Sequence, residues 1–105
     1  MILTGKTLEQ FKEWYCANAH EFMRDIMIAE FNVLPFSMQY GVLVDFFDSL
    51  GIIIDLEYQA AFKMFNIHII GHKGGLYSEN RINTRHEARR KAIEKANELN
   101  NKQNQ

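Results

Sequence analysis

Four acids, Asp45, Asp48, Asp55 and Glu57, fall close together near the middle of the chain. On a strand, Asp55 and Glu57 share a face, and paired carboxylates of that kind can hold Mg²⁺ for phosphoryl chemistry. No Lys or His follows at a spacing that would complete such a site, and Asp45 and Asp48 fit equally well as exposed positions near a helix end. The histidines His20, His68, His72 and His86 make no metal-ligand set. His68 and His72 would face the same way on a continuous strand, but Gly71 interrupts it and the one cysteine is distant. Cys16 has Trp14 and Tyr15 beside it and only Lys12 as a nearby cation, so it reads as a buried, inert thiol. Nothing resembles a Ser-His-Asp or Cys-His arrangement. We therefore expect no catalytic residue, no bound metal and no cofactor.

A second cluster is cationic: Arg81, Arg85, Arg89, Arg90, Lys91 and Lys95, with Lys73 in the glycine-rich stretch Gly71–Gly75. Phosphates attract such clusters. A glycine-rich turn leading to the basic start of a terminal helix resembles the way double-stranded-RNA-binding domains grip a backbone, a likeness confined to about residues 71–99. The Gly71–Gly75 turn lacks the Lys-Ser/Thr ending of a phosphate loop. On a helical wheel Glu87, Glu94 and Glu98 interleave with the bases, and the net charge is only −1. The preferred reading is a solvated, self-neutralised face. Nucleic-acid binding through Lys73, Arg81, Arg85, Arg89, Arg90 and Lys95 is kept as the alternative.

The elements that must carry these residues follow from periodicity. In Thr7-Leu8-Glu9-Gln10, Thr and Gln stand three apart, the spacing of a capping box. Leu8, Phe11, Tyr15, Phe22, Ile26, Ala29 and Val33 then recur at helical steps, with a break expected near Asn18 and His20. Pro35 ends that segment. Residues 36–50 alternate like a strand yet also repeat at helical spacing. The helix reading is preferred because Ser37 is a usable N-cap, Phe46 and Phe47 would point to opposite faces of a strand, and Gly51 stands where helices stop. Ile52 to Tyr58 and Phe62 to Ile70 read as paired strands joined by Gln59-Ala60-Ala61, and Leu76 to Glu79 as a short third strand. Thr84-Arg85-His86-Glu87 opens the last helix, whose small-residue stripe is Ala88, Ala92 and Ala96 with Leu99. Residues 100–105 have nothing to bury and are expected to fray.

At 105 residues the chain has room for one core, and 47% apolar with 24% charged residues excludes disorder and fibrous repeats. No apolar run approaches the ~18 residues needed to span a bilayer, and no leader is visible at residues 1–20. A single cysteine fits a reducing compartment, so a cytoplasmic location is expected. Residues 1–60 hold three bases against nine acids and residues 61–105 nine bases against four, a split of −6 and +5. The two halves can face each other within one fold or across a homodimer.

The stretches Met38-Gln39-Tyr40-Gly41-Val42, Asp45-Phe46-Phe47-Asp48-Ser49 and Gly51-Ile52, with Thr84-Arg85-His86-Glu87-Ala88-Arg89 and Ala92-Ile93-Glu94-Lys95-Ala96-Asn97-Glu98, resemble small phage and prophage proteins of gut bacteria. The likeness spans most of residues 36–99. It implies a phage-encoded accessory protein made in the host cytoplasm, and it assigns a role to no residue.

These readings predict a single α+β domain over residues 1–105: N-terminal helices, a helix at 37–50, a small antiparallel sheet at 52–79, and a C-terminal helix packed on the sheet. Aromatic residues make up 12% of the chain, more than a domain of this size hides. Trp14, Tyr40 and Tyr58 are expected to stay partly exposed and to serve protein contact. The expected function is a non-enzymatic interaction module with a protein partner or a second copy.

Overall fold

The computed structural model describes residues 1–71 and 74–104. Four helices and three strands follow in the order α1 (Gly5–Tyr15), α2 (Glu21–Asn32), α3 (Phe36–Ser49), β1 (Ile52–Gln59), β2 (Met64–Gly71), β3 (Gly74–Ile82) and α4 (Arg85–Gln103). The strands form one antiparallel sheet in the order β1-β2-β3. The protein is therefore α+β, with helices on one face of the sheet.

Period-two alternation decides which face is covered. Ile52 and Ile54 of β1 and Phe65, Ile67 and Ile69 of β2 turn inward and are buried, joined by Ile82 at the end of β3. α3 packs on β1, and α4 lies across all three strands. The stripe of Ala88, Ala92 and Ala96, all fully buried, lets the α4 axis approach the strands closely, and Ile93 fills the space beside it. Leu43, Phe46 and Phe47 of α3 complete the core with Phe11 and Phe31. Neighbouring Phe46 and Phe47 can both be buried because they are ~100° apart on a helix, whereas a strand would send one to solvent.

The helix reading of residues 36–50 and the Gly51 stop hold, with Gly51 at φ +78°. Ser37 is not the cap: α3 begins at Phe36, directly after Pro35, whose fixed φ suits the helix entrance. The β2 strand starts at Met64, leaving Phe62 in the connecting loop, and β3 runs from Gly74 to Ile82 rather than over Leu76–Glu79 alone. Thr84 does cap α4, accepting from the Glu87 N–H at 3.1 Å.

Two corrections concern the chain ends. Thr7 is no N-cap: α1 begins at Gly5, and Thr7 is fully buried within its first turn. Residues 100–103 do not fray either, because α4 continues to Gln103 and Asn100 is buried; Gln105 lies outside the described residues. The two findings have one cause. Asn101 Oδ1 accepts from the Thr7 N–H at 2.9 Å and from the Thr7 hydroxyl at 2.7 Å, while Asn100 Nδ2 donates to Thr7 Oγ1 at 2.8 Å and to Gln10 Oε1 at 2.7 Å. Asn97 and Thr4 exchange two further bonds, each 3.0 Å. The free N–H groups at the start of α1 are thus capped by the far end of the chain.

Candidate functional site

α2 differs from every other helix in how it is held. Among the described residues its backbone runs closely alongside no strand or other helix, and side chains make its contacts. Its attachments are few. Phe31 is buried against Phe11 and Tyr15, with ring centroids 5.0 and 5.3 Å away. Gln39 Nε2 donates to the Phe31 and Leu34 carbonyls, each at 3.1 Å, which satisfies acceptors at the C-terminal end of α2. Arg24 pairs with Glu13 of α1 at 3.2 Å.

Helical spacing divides the α2 surface in two. Arg24, Met27, Ile28 and Phe31 turn toward the body of the protein and are buried or half-buried. On the opposite side lie Phe22, Ile26, Ala29 and Val33, all exposed: Phe22 by 75%, Ile26 by 49% and Val33 by 82%. Met23 of the same helix is exposed by 38%, and Met38 near the start of α3 by 58%. A helix that is apolar on both sides is ordinarily buried on both sides. The expected single stripe from Leu8 to Val33 is accordingly broken at residues 16–20. Leu8, Phe11 and Tyr15 pack on the core while the second half of the stripe faces solvent.

Of the three aromatic candidates, Trp14 is 38% and Tyr58 50% exposed. Tyr40 is half-buried beneath the Arg89 guanidinium, 5.2 Å from its ring centroid. Burial raises the Tyr40 phenol above its ordinary value against the opposing pull of Arg89. No ring contact joins any two of these three among the described residues. Trp14 borders an open groove of about 700 Å³ that also touches Phe46, Leu50, Lys6, Lys12 and Glu13. Phe22, Ile26, Val33 and Met38 were not anticipated as surface residues. The available signal was the second apolar series, Met27, Ile28 and Phe31, on the same short helix.

The cationic cluster is largely neutralised. Arg90 pairs with Glu94 at 3.1 Å, Lys91 with Glu79 at 2.9 Å and Glu87 at 3.6 Å, and Lys95 with Glu98 at 3.3 Å. Lys95 also lies 4.6 Å from the Tyr77 ring centroid. Arg81, Arg85 and Arg89 form no ion pair among the described residues. Arg85 sits 5.0 Å over the Phe65 ring, and the Arg81 N–H donates to Asn66 Oδ1 at 3.1 Å. Lys73 and His72 lie outside the described residues.

Tyr77, Glu79 and Lys91 form a small polar chain. The Tyr77 hydroxyl donates to Glu79 Oε1 at 2.6 Å, which together with Lys91 holds the Glu79 carboxyl below its usual range. That same bond raises the Tyr77 phenol, and Glu79 raises the Lys91 ammonium.

Asp55 and Glu57 are exposed on the uncovered face of the sheet, where Asp55 pairs with His68 and Glu57 with Asn66. Asp45 and Asp48 are exposed on α3. Among the described residues no group of three or more His, Cys, Asp or Glu is placed to hold a metal ion, and no helix is long and apolar enough to cross a membrane. Cys16 is buried. Searches against protein-family models, curated proteins and solved structures return no match to the chain.

Proposed function

We propose that this protein is a non-enzymatic interaction module whose docking surface is the outward face of α2. The observation that carries this reading is the bare stripe Phe22, Ile26, Ala29 and Val33 on a helix whose opposite side already packs on the body. Exposed apolar surface of this kind is costly unless a partner covers it, and covering it expels water from four adjacent side chains. Met23, next to Phe22 on the same helix, adds a flexible, polarisable contact. Trp14 and Tyr58 lie outside this stripe and serve at most as secondary contacts. As the phage resemblance implies, the protein in this reading is an accessory factor acting in the cytoplasm of a bacterial host.

The test compares the wild type with Ile26→Asp as immobilised bait in host lysate. Retention of a defined protein by the wild type and its loss with Ile26→Asp is expected. Identical retention by both, with Ile26→Asp shown to be folded, defeats the reading.

A second reading rests on Arg81, Arg85 and Arg89, which have no carboxylate partner among the described residues and lie at the end of β3 and in the first turns of α4. Such a site would bind duplex RNA or DNA with a steep loss of affinity as salt rises. It has less support, because Arg90 and Lys95 are spent on glutamates and Arg89 is packed over Tyr40. Titration of labelled duplexes at low salt decides it, and absence of binding there rejects it.

A further inference from the structure

We infer that Arg85 and Arg89 form a binding site for one doubly charged phosphate group, that of a phosphate monoester. The inference is independent of the α2 surface. It shares these two arginines with the duplex reading and narrows their ligand to a single dianion.

Placement sets the two residues apart. Arg85 and Arg89 each stand three residues before a member of the inward stripe, Ala88 and Ala92, so all four fall within about 100° of arc on α4. The inner side of the helix thus opens with two cations where its continuation is apolar. Charges at inward positions are ordinarily paired. Arg85 and Arg89 have no carboxylate partner among the described residues, whereas Arg90, Lys91 and Lys95 of the same helix each have one.

Aromatic rings support them instead. Arg85 Cζ lies 5.0 Å from the Phe65 ring centroid, and Arg89 Cζ 5.2 Å from that of Tyr40. The rings are themselves braced, Phe65 by Tyr58 at 5.0 Å and Tyr40 by Phe36 at 6.3 Å between centroids. A ring face attracts a guanidinium but accepts none of its in-plane N–H bonds. Of the Arg89 donor atoms, Nε alone is buried without a partner among the described residues, which leaves the Nη edge for a ligand. Arg85 is exposed.

Charge and reach select the ligand. Residues four apart on a helix stand ~5–6 Å apart at Cβ, so two guanidinium forks can close on one tetrahedral anion. A phosphate monoester carries about −1.5 to −2 at neutral pH and matches both cations. A phosphodiester or a carboxylate carries a single charge and leaves one arginine unmatched. Asp55 is the one acid felt at Tyr40; it is exposed and acts there more weakly than Arg89. Because the rings already hold both guanidiniums, little side-chain freedom is lost on binding.

Titration of the full chain with phenyl phosphate at low ionic strength, followed by nuclear magnetic resonance, tests the inference. Saturable shifts are expected at the amides of residues 84–89 and at Arg89 Nε. Phenyl sulfate, of the same shape with one charge fewer, should bind at least about tenfold more weakly. Arg85→Gln, at an exposed position, should weaken phenyl phosphate at least about tenfold, and Arg89→Lys, which keeps the charge and loses the planar fork, by a similar factor. Arg90→Gln, whose partner is Glu94, should leave the affinity unchanged. Each variant is first shown to keep the wild-type circular dichroism spectrum. A phosphotyrosine peptide of otherwise uncharged residues separates the sources of the ester: tighter binding than phenyl phosphate assigns it to a phosphorylated chain, equal binding to a free small molecule, and both support the site. No saturable response to phenyl phosphate overturns the inference, and binding of a labelled duplex in that event leaves only the duplex reading. Equal binding of phenyl sulfate, or indifference to Arg85→Gln and Arg89→Lys, overturns it as well.

Discussion

α2 and α4 are helices of one small protein that solve the surface problem in opposite ways. α4 turns small side chains to the sheet, covers its outer side with ion pairs, and is tied down at its end by asparagines. α2 is anchored by the buried Phe31 ring, half-buried Met27 and Ile28, the Arg24–Glu13 pair and the Gln39 cap, and keeps a second apolar side in water. Both helices turn an apolar side inward. What separates them is what stands on the outer side. α4 is finished as a monomer and α2 is not, which is why the docking surface is assigned to α2.

The contrast is sharpest for isoleucines. Ile93 of α4 is fully buried and Ile26 of α2 is 49% exposed. Ile93→Ala should cost about 2–5 kcal/mol of unfolding free energy, through lost transfer energy and the cavity left behind. Ile26→Ala should stay within about 0.5 kcal/mol in the monomer. Chemical denaturation at low protein concentration measures both. Comparable losses would mean that α2 packs on the body as fully as α4 does, and the proposed surface would go with that result.

The next effect concerns how α4 is tied. Asn101→Ala leaves the Thr7 N–H without its acceptor and the Thr7 hydroxyl with only the longer contact to the Asn97 carbonyl, at about 1–3 kcal/mol. Fast hydrogen exchange at the Thr7 amide in that variant would confirm the capping from a distance, and unchanged exchange would refute it. Gly5 belongs to the same junction. It has φ +60°, and an added Cβ would lie 3.2 Å from the Asn101 side chain. Gly5→Ala should therefore cost about 1–2 kcal/mol, measured by the same denaturation. Among the described residues no equivalent junction stands on the outer side of α2, where substitutions should leave exchange rates unaltered.

These elements also show what a sequence discloses. α4 was legible because its signals are local: Thr84 and Glu87 stand three apart, and the alanines repeat at one turn. The sheet was legible from alternation, apart from strand ends that residue type alone does not fix. The asparagine clamp was not, because Thr7 and Asn101 are far apart in the chain and Asn carries no hydrophobic signal. The orientation of α2 was not legible either. Phe22, Ile26, Ala29, Val33 and Met27, Ile28, Phe31 are both helical series, and only the body against which Phe31 packs decides which one is inside.

The smallest effect lies where α4 meets β3. Glu79 accepts from Tyr77 and pairs with Lys91, so its carboxyl titrates below the ordinary 4.5 in the folded protein. A carboxyl whose folded value is depressed adds stability that is fully present above its unfolded value and is lost as pH falls through the folded one. Tyr77 is raised above 10.0, chiefly by the same hydrogen bond, so its share is present below that value and is lost as pH climbs through the folded one. Glu79→Gln should therefore lower stability by about 0.2–1 kcal/mol at neutral pH, the range for a partly exposed pair. The difference from wild type should shrink in acid below 4.5 and again in strong alkali. The Ile26→Asp variant, whose new charge stands on the outer side of α2, should leave this pH profile of the monomer unmoved. A Glu79→Gln difference that persists undiminished in acid would show that the side chain acts there through packing and not through its charge.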